Sequence, residues 1–428
     1  MNISTHRVPH FRALATLLII AGCNKPSEPA PTTEQAPTEE KKAEAPAAAP
    51  ASDEIVLGQT MPYSGPASAY GTIGKAETAY FKKINDEGGI GGKKIKLISV
   101  DDGYSPPKTV EQVRKLVEED HVVAVFQPLG TAPNSAIQKY LNNKKIPQLF
   151  ASTGATRWGD PKRFPWTIGF NPSYQLEGQT IAKHILANVP KGKIAVLFQN
   201  DDYGKDLLKG LKEGLGDKAS QIIAEVSYET SDPTVDSQIV QLKASKADVF
   251  VNVTTPKFAA QAIRKAHDVG WKLKAHYLNN VSASVGGVLV PAGVERANGL
   301  FTTSYYKDPT DKQYDNDPEA QKYKEFIQKY YPDANLADAA NTYAYIAAQT
   351  LVQVLKQCGS DFSAENIIKQ AANLKDFQPD LLADGISINT SPTDFFLFDQ
   401  MQVSKFDGKQ WVTQAGVIQA EADKIKLD

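Results

Sequence analysis

The sequence predicts an α/β protein made of two doubly wound parallel sheets. Three observations predict it. Short apolar strands alternate with amphipathic helices from residue 54 onward. The alternation runs to about 150 and restarts near 174, giving two series. The body, residues 53–428, is long enough for two ordinary domains. Strands alternating with helices of about 10–15 residues imply parallel pairing with helices on both faces of the sheet.

In order, residues 54–60 read as a strand, 76–84 as a helix ending at Gly88-Gly89, and 94–100 as a strand. Residues 108–119 form a helix with Val110, Val113, Leu116 and Val117 on one face. A short buried strand follows at 122–126, a helix at 134–141 and a strand at 146–150. The second series has helices at 174–186, 204–214, 235–244 and 258–269. Its strands are 193–198, 222–226, 248–253 and 273–278. The tail departs from this pattern, with helices at 318–331, 337–355 and 364–372. Residues 395–411 read as a hairpin turning at Asp407-Gly408.

Ahead of the body, Arg7 and Arg12 precede an apolar stretch at 13–22 that ends in Ala21-Gly22-Cys23. This is the layout of a secretory signal. The stretch is half of the roughly 20 residues that a membrane-spanning helix needs. Small residues followed by cysteine resemble the lipobox of bacterial lipoproteins. The resemblance implies a signal peptide at 1–22 and a lipidated Cys23 as the new N-terminus. Asn24 stands where many Gram-negative lipoproteins carry an aspartate retention signal, so the final leaflet, inner or outer, stays open. Residues 24–51 contain no Val, Ile, Leu, Met, Phe, Tyr or Trp. Such a Pro/Ala/Glu segment cannot build a core and is expected to be a disordered tether, 23–52 with its cysteine.

Composition removes several classes of function. The formal net charge is −2, with acids and bases interspersed. There is no basic stripe to collect phosphates, so nucleic acid is not an expected partner. After Cys23 only Cys358 remains, and one cysteine makes no intramolecular disulfide. Six histidines are scattered without HExxH or paired Cys/His spacing, so no metal is expected. GxSxG, a P-loop and a GxGxxG after a strand are all missing, so no cofactor and no enzyme are expected. Gly88-Gly-Ile-Gly-Gly92 precedes a strand and reads as a turn. The pairs Asp101-Asp102 and Asp201-Asp202 read as strand-end turns rather than as an acid/base dyad.

In open α/β sheets a ligand sits beyond the carboxyl ends of the strands. That directs attention to the loops 61–71, 128–134 and 151–156. The last two are rich in Gly, Ser and Thr, whose N–H and hydroxyl groups can hold an anion such as a carboxylate. Thr131 can equally serve as an N-cap for the helix behind it.

At these loops the chain resembles the type I periplasmic binding proteins of the leucine/isoleucine/valine-binding family, the solute receptors of ABC importers. The residues carrying the resemblance are Ser64-Gly65-Pro66 with Tyr70-Gly71, Asn85-Asp-Glu-Gly-Gly-Ile-Gly-Gly92, Asp101-Asp102, Ser152-Thr-Gly-Ala-Thr156, Asp202-Tyr203-Gly204 and Tyr343. It covers roughly residues 53–420. It implies a monomeric clamshell of two lobes joined by a three-strand hinge, crossed near Asn171, Thr303 and Asn389. Lobe one is then 53–171 plus 304–389, and lobe two 172–303 plus 390–428. Closure of the lobes on the ligand would create the form that permease subunits recognise.

Carried over residue by residue, the family's pocket would take Tyr70, Gly130, Thr131, Ser152, Gly154 and Thr156 from lobe one. N–H groups at Ser152, Gly154 and Thr156, with the Thr131 and Thr156 hydroxyls, would hold a ligand carboxylate. Lobe two would supply Tyr203, Thr254 or Thr255, and Asn280, Val281 and Ser282. One departure bears on the ligand. Amino-acid receptors of this family pair the ligand ammonium with an acid from lobe two, and here Val281 takes that position. A buried ammonium without its partner costs about 3–5 kcal/mol, roughly 10²–10⁴ in affinity. The expected ligand is therefore a small carboxylated solute without an amine, such as an aromatic, keto or short fatty acid, with Trp158 as a candidate wall. An amino acid stays open if Asp201 or Asp202 reaches the site. A ligand-sensing lobe for a separate signalling partner is the alternative of another class. The protein is expected outside the cytoplasm, held to a membrane only by its lipid.

Overall fold

The computed structural model describes residues 53–419 and Ile425. The leader 1–22, Cys23 and the tether lie outside the described residues. Two sheets organise the rest. Glu54–Met61 (β1) pairs in parallel with Lys94–Asp101 (β2) on one side and Ala124–Phe126 (β3) on the other. Gln148–Ala151 (β4) and Thr167–Gly169 (β5) extend the sheet in the order β2-β1-β3-β4-β5, all parallel. Gly71–Asp86 (α1), Pro106–Glu118 (α2) and Thr131–Lys144 (α3) connect these strands. Val113 and Leu116 of α2, with Ile137 and Leu141 of α3, cover one face of the sheet over Val125.

The second sheet has Ile194–Gln199 (β6), Ile222–Tyr228 (β7), Val249–Val253 (β8), Ala275–Leu278 (β9) and Phe301–Ser304 (β10), parallel in the order β7-β6-β8-β9-β10. Tyr174–Asn188 (α4) and Asp202–Leu215 (α5) cover one face through Ile181, Ile185, Leu207 and Leu211. Asp236–Ala244 (α6) and Pro256–Asp268 (α7) cover the other through Ile239, Leu242, Phe258 and Ala262. Proline at the first position of α7 fits, because its missing N–H would be unpaired there in any case. Two short turns, Val290–Ala292 (α8) and Val294–Ala297 (α9), lead into β10.

The chain then returns to the first sheet. Pro318–Tyr330 (α10) and Ala339–Gln357 (α11) pack on α1, and Ala364–Ala371 (α12) packs on α11. Ile346, Leu351, Val354 and Leu355 of α11 are fully buried beside Ile73, Phe81 and Phe126. Cys358 ends this helix as a buried free thiol, pushed up by burial to about 11.

Four features differ from the sequence reading. The three-residue β5 and the four-residue β10 were not foreseen. Thr303, taken only as a crossing point, is a strand residue of β10. The tail hairpin turns at Asp407-Gly408 as expected, but its strands are Gln400–Phe406 (β11) and Trp411–Gln419 (β12). Trp411 therefore opens the second strand instead of closing it, and Phe395 and Phe398 belong to the core, where the Phe398 ring lies 4.8 Å from Tyr305. Finally, β11 joins β10 antiparallel and β12 joins β11 antiparallel, so the second sheet is parallel only up to β10.

Candidate functional site

Both sheets reverse their strand order beside a central strand, between β1 and β3 in one and β6 and β8 in the other. Ligand crevices open at such points, beyond the carboxyl ends of the strands. One cavity of about 80 Å³ occupies this place, and it draws on the loops that follow nine of the ten parallel strands, all but β7. A water needs roughly 10–15 Å³ by this measure, so there is room for a ligand of several heavy atoms.

Eight of the twelve sequence-predicted residues line the cavity: Tyr70, Gly130, Thr131, Ser152, Tyr203, Thr255, Asn280 and Val281. Gly130 caps α3 with φ 96°, a left-handed conformation, and a Cβ there would stand 2.4 Å from the Tyr104 ring. Only glycine suits both demands. Thr131 is the first residue of α3 rather than its cap, and its hydroxyl lies 2.6 Å from that of Thr153. In the first turn of α3 Pro133 has no N–H and the Asn134 N–H bonds to the Gly130 carbonyl at 3.0 Å, so the Thr131 and Ala132 N–H groups are the ones left without a helical acceptor. The Ser152 hydroxyl lies 2.9 Å from the Tyr343 hydroxyl, which also reaches Gln127 Oε1 at 3.0 Å and Asn171 Oδ1 at 2.9 Å. The Tyr70 hydroxyl donates to the Val281 carbonyl at 3.1 Å.

The other four hold loops in shape. A Cβ on Gly154 would meet the Pro172 carbonyl at 2.4 Å, so this glycine permits a close crossing of two chain segments. Thr156 gives both its N–H and its hydroxyl to Asp206, at 2.7 and 2.8 Å. Thr254 bonds to Asn252 and Asn279, and the Ser282 hydroxyl donates to the Thr254 carbonyl. The Ser152 N–H is likewise engaged, by the Pro128 carbonyl at 3.0 Å. The anion cradle drawn from the sequence is corrected accordingly. N–H groups of Ser152 and Thr156 are taken and Gly154 does not line the cavity, which leaves Thr131 at the start of α3. Trp158 is also not a wall of this cavity: it is 2% exposed, lies against Gly169, and donates toward the Thr153 hydroxyl at 3.3 Å.

Several lining residues escaped the sequence reading. Seven tyrosines surround the space: Tyr70, Tyr104, Tyr174, Tyr203, Tyr305, Tyr306 and Tyr343. Tyr203 is buried with its ring 4.9 Å from Tyr174, and its hydroxyl has no partner among the described residues. Among the described residues, Lys, Arg and His do not line the cavity, and Asp338 is its one acid. Asp338 caps α11, accepting from Ala340 N–H at 3.2 Å and from the Ser284 hydroxyl at 2.8 Å, and burial raises its carboxyl. Asp201 and Asp202 do not reach the space: Asp201 caps α5, and Asp202 pairs with Arg157. Position is the signal that finds Tyr104, which follows β2, whereas Tyr305 and Tyr306 follow β10, a strand the sequence does not reveal.

Fold and site together define a solute-binding protein: the space is shared between two α/β sheets, and its lining is mostly aromatic and uncharged. Comparison with known proteins gives the same class. Residues 54–410 match the model of the periplasmic binding protein family, and the chain belongs to that family, whose members bind substrates rather than transform them. It is similar to Leu/Ile/Val-binding protein homolog 1 of Brucella suis biovar 1 (strain 1330), 26% identical over 72% of this chain and 80% of that protein. In fold it is similar to a branched-chain amino acid ABC transporter protein from Thermus thermophilus with bound valine, at TM-score 0.78 and 15% identity over 86% of this chain and 97% of that one. It is also similar to a fatty acid ABC transporter substrate-binding protein from Thermomonospora curvata, at TM-score 0.70 and 22% identity over 86% and 93%.

Proposed function

We propose that the protein is the extracytoplasmic receptor of an ABC importer and captures a small carboxylated solute in the shared cavity. The observation that carries this reading is one cavity built from the strand ends of both sheets. A ligand there touches both at once, so its binding energy can close them. In this reading the lobes are 53–171 plus 304–389 and 172–303 plus 390–428, and the protein acts as a monomer tethered through a lipid on Cys23. The ligand carboxylate would meet the N-terminal turn of α3 at Thr131, because the Gly130 N–H is held by the Ser152 carbonyl at 3.1 Å. The relatives named for valine and for fatty acid support a carboxylated solute.

Val281 lies on the wall and neither Asp201 nor Asp202 reaches the space, which favours an acid without an amine. One observation favours the second reading, an amino acid: Asp338 lines the same cavity and could accept from an ammonium. Calorimetric titration of the full chain, unfolded and refolded to remove carried-over ligand, separates them. Benzoate, phenylpyruvate and branched 2-keto acids binding more tightly than leucine, isoleucine, valine and phenylalanine supports the first. Micromolar leucine binding that is lost in Asp338→Asn supports the second. No heat with any of these acids overturns the carboxylate assignment.

A further inference from the structure

Beneath the cavity lies a carboxylate that takes no part in lining it. Glu177 stands in the first turn of α4 and is fully buried. It accepts three hydrogen bonds: from the Asn280 backbone N–H at 2.7 Å, from Asn280 Nδ2 at 2.7 Å and from the Thr303 hydroxyl at 2.9 Å. Asn280 lines the cavity, and Thr303 sits in β10 just ahead of the cavity residues Tyr305 and Tyr306. An ionised carboxylate can only accept, so the Asn280 amide must present its nitrogen to Glu177. Its Oδ1 has no partner among the described residues and is not fully enclosed.

We propose that Glu177 is a positioning residue that locks the Asn280 side chain with Oδ1 free, so that the site accepts a hydrogen bond from a donor group on the ligand. The inference rests on the ligand reading above for the site but not for the lock. Within the amine-free acids, a hydroxyl beside the ligand's carboxylate fits this acceptor, and a keto oxygen at the same place meets it lone pair to lone pair. The lock also makes binding depend on the charge of Glu177. A donor on Oδ1 polarises the amide, strengthens its bond to Glu177 and favours the ionised form, so affinity rises with pH through neutrality. The tyrosines and His184 around Glu177 do not compete in that range, whereas Asp206 and the cavity acid Asp338 carry carboxyls that burial also raises. Tyr174 on α4, Tyr203 on α5 and Tyr305 and Tyr306 after β10 all have hydroxyls raised by burial. Asp206 on α5 is bound to Thr156 and Gln175, and His184 on α4 meets Tyr277 of β9 with its pKa lowered.

Two measurements on the full chain test this. In ¹⁵N spectra the Asn280 Nδ2 protons, assigned by their loss in Asn280→Ala, should lie downfield and titrate near neutral pH, and Glu177→Gln should abolish both properties. An Asn280 signal unchanged in Glu177→Gln overturns the lock, whatever the ligand. Calorimetry with phenyllactate and phenylpyruvate should favour the hydroxy acid by about 10–100-fold, the range of a hydrogen bond to a polarised group. Glu177→Gln should erase that preference, and in the Asn280→Ala background it should add no further loss. Equal preference in wild type and Glu177→Gln overturns the ligand half of the proposal. If neither acid binds, the carboxylate reading fails while the spectra still decide the lock.

Discussion

Two buried polar groups show how single residues set the character of the site. The Tyr203 hydroxyl is buried without a partner among the described residues. Leaving such a group unpaired costs about 1–3 kcal/mol, which a ligand acceptor can recover. Tyr203→Phe is therefore expected to leave the ligand-free protein as stable or more stable in urea, while ligand affinity falls about tenfold or more. A stability loss with affinity unchanged would make this tyrosine a packing residue only. Glu177 is the opposite case, a paired group whose burial still dominates. Desolvation lifts its carboxyl from 4.5 to about 7 despite its hydrogen bonds. Between these values the folded state binds more protons than the unfolded one. The stabilising share of this group is thus complete below about pH 4.5 and is lost as pH rises through about 7. The span corresponds to about 3 kcal/mol. Relative to Glu177→Gln, the wild type should lose about that much unfolding free energy between pH 4 and pH 8. A constant difference across the range would mean that Glu177 does not titrate there.

At the scale of elements, α11 carries both structure and site. Its N-cap Asp338 faces the cavity, and its middle is core. Asp338→Ala removes the cap and should cost about 0.5–2 kcal/mol, whereas Asp338→Asn keeps a capping oxygen and should cost little. Equal melting of the two variants would show that the cap contributes nothing. The same helix illustrates what the sequence made legible. Nineteen residues with a continuous apolar face read as a helix without help, as did β1, β2 and the strand–helix alternation of the second series. Thr167-Ile-Gly and Phe301-Thr-Thr-Ser are too short for any period to declare itself, so β5 and β10 were invisible. With β10 unseen, Tyr305 and Tyr306 could not be placed at a strand end. The mistaken site residues have a different cause. Gly154 and Thr156 lie just past Ser152, Thr254 precedes Thr255, and Ser282 follows Val281. Along an irregular loop one residue's step turns a side chain from the cavity to the loop's own hydrogen bonds, and only the folded backbone decides which.

The whole molecule adds the question of how a small cavity becomes a signal to a transporter. Four hydrogen bonds run between the loop after β9 and the elements of the first sheet. Tyr70 donates to the Val281 carbonyl at 3.1 Å, Ser284 to Asp338 at 2.8 Å, Gly286 N–H to the Ala337 carbonyl at 2.8 Å, and Ala339 N–H to Ser284 at 3.2 Å. In the clamshell reading these bonds exist only when the lobes are closed. Each is worth about 0.5–1.5 kcal/mol net, and the donors and acceptors can turn to water when the cleft opens. Closure without ligand is therefore finely balanced, and a ligand touching both sheets shifts it by its contacts to the second lobe. The double variant Tyr70→Phe with Ser284→Ala removes three of the four bonds, because Ser284 both donates to Asp338 and accepts from Ala339, and it also removes the cap that the Ser284 hydroxyl gives to the Gly287 N–H within its own loop. The expected result is a weaker dissociation constant by about 10–2000-fold, from about 1.5–4.5 kcal/mol, with urea stability of the ligand-free protein lowered only by the lost Ser284 cap, about 0.5–2 kcal/mol. Small-angle scattering supplies the independent check: wild type should contract on ligand addition, and the double variant should need more ligand to reach the same radius of gyration. A radius that does not change at saturating ligand would sink the clamshell reading. An unchanged dissociation constant in the double variant would remove these three bonds from it and leave closure to the ligand's own contacts.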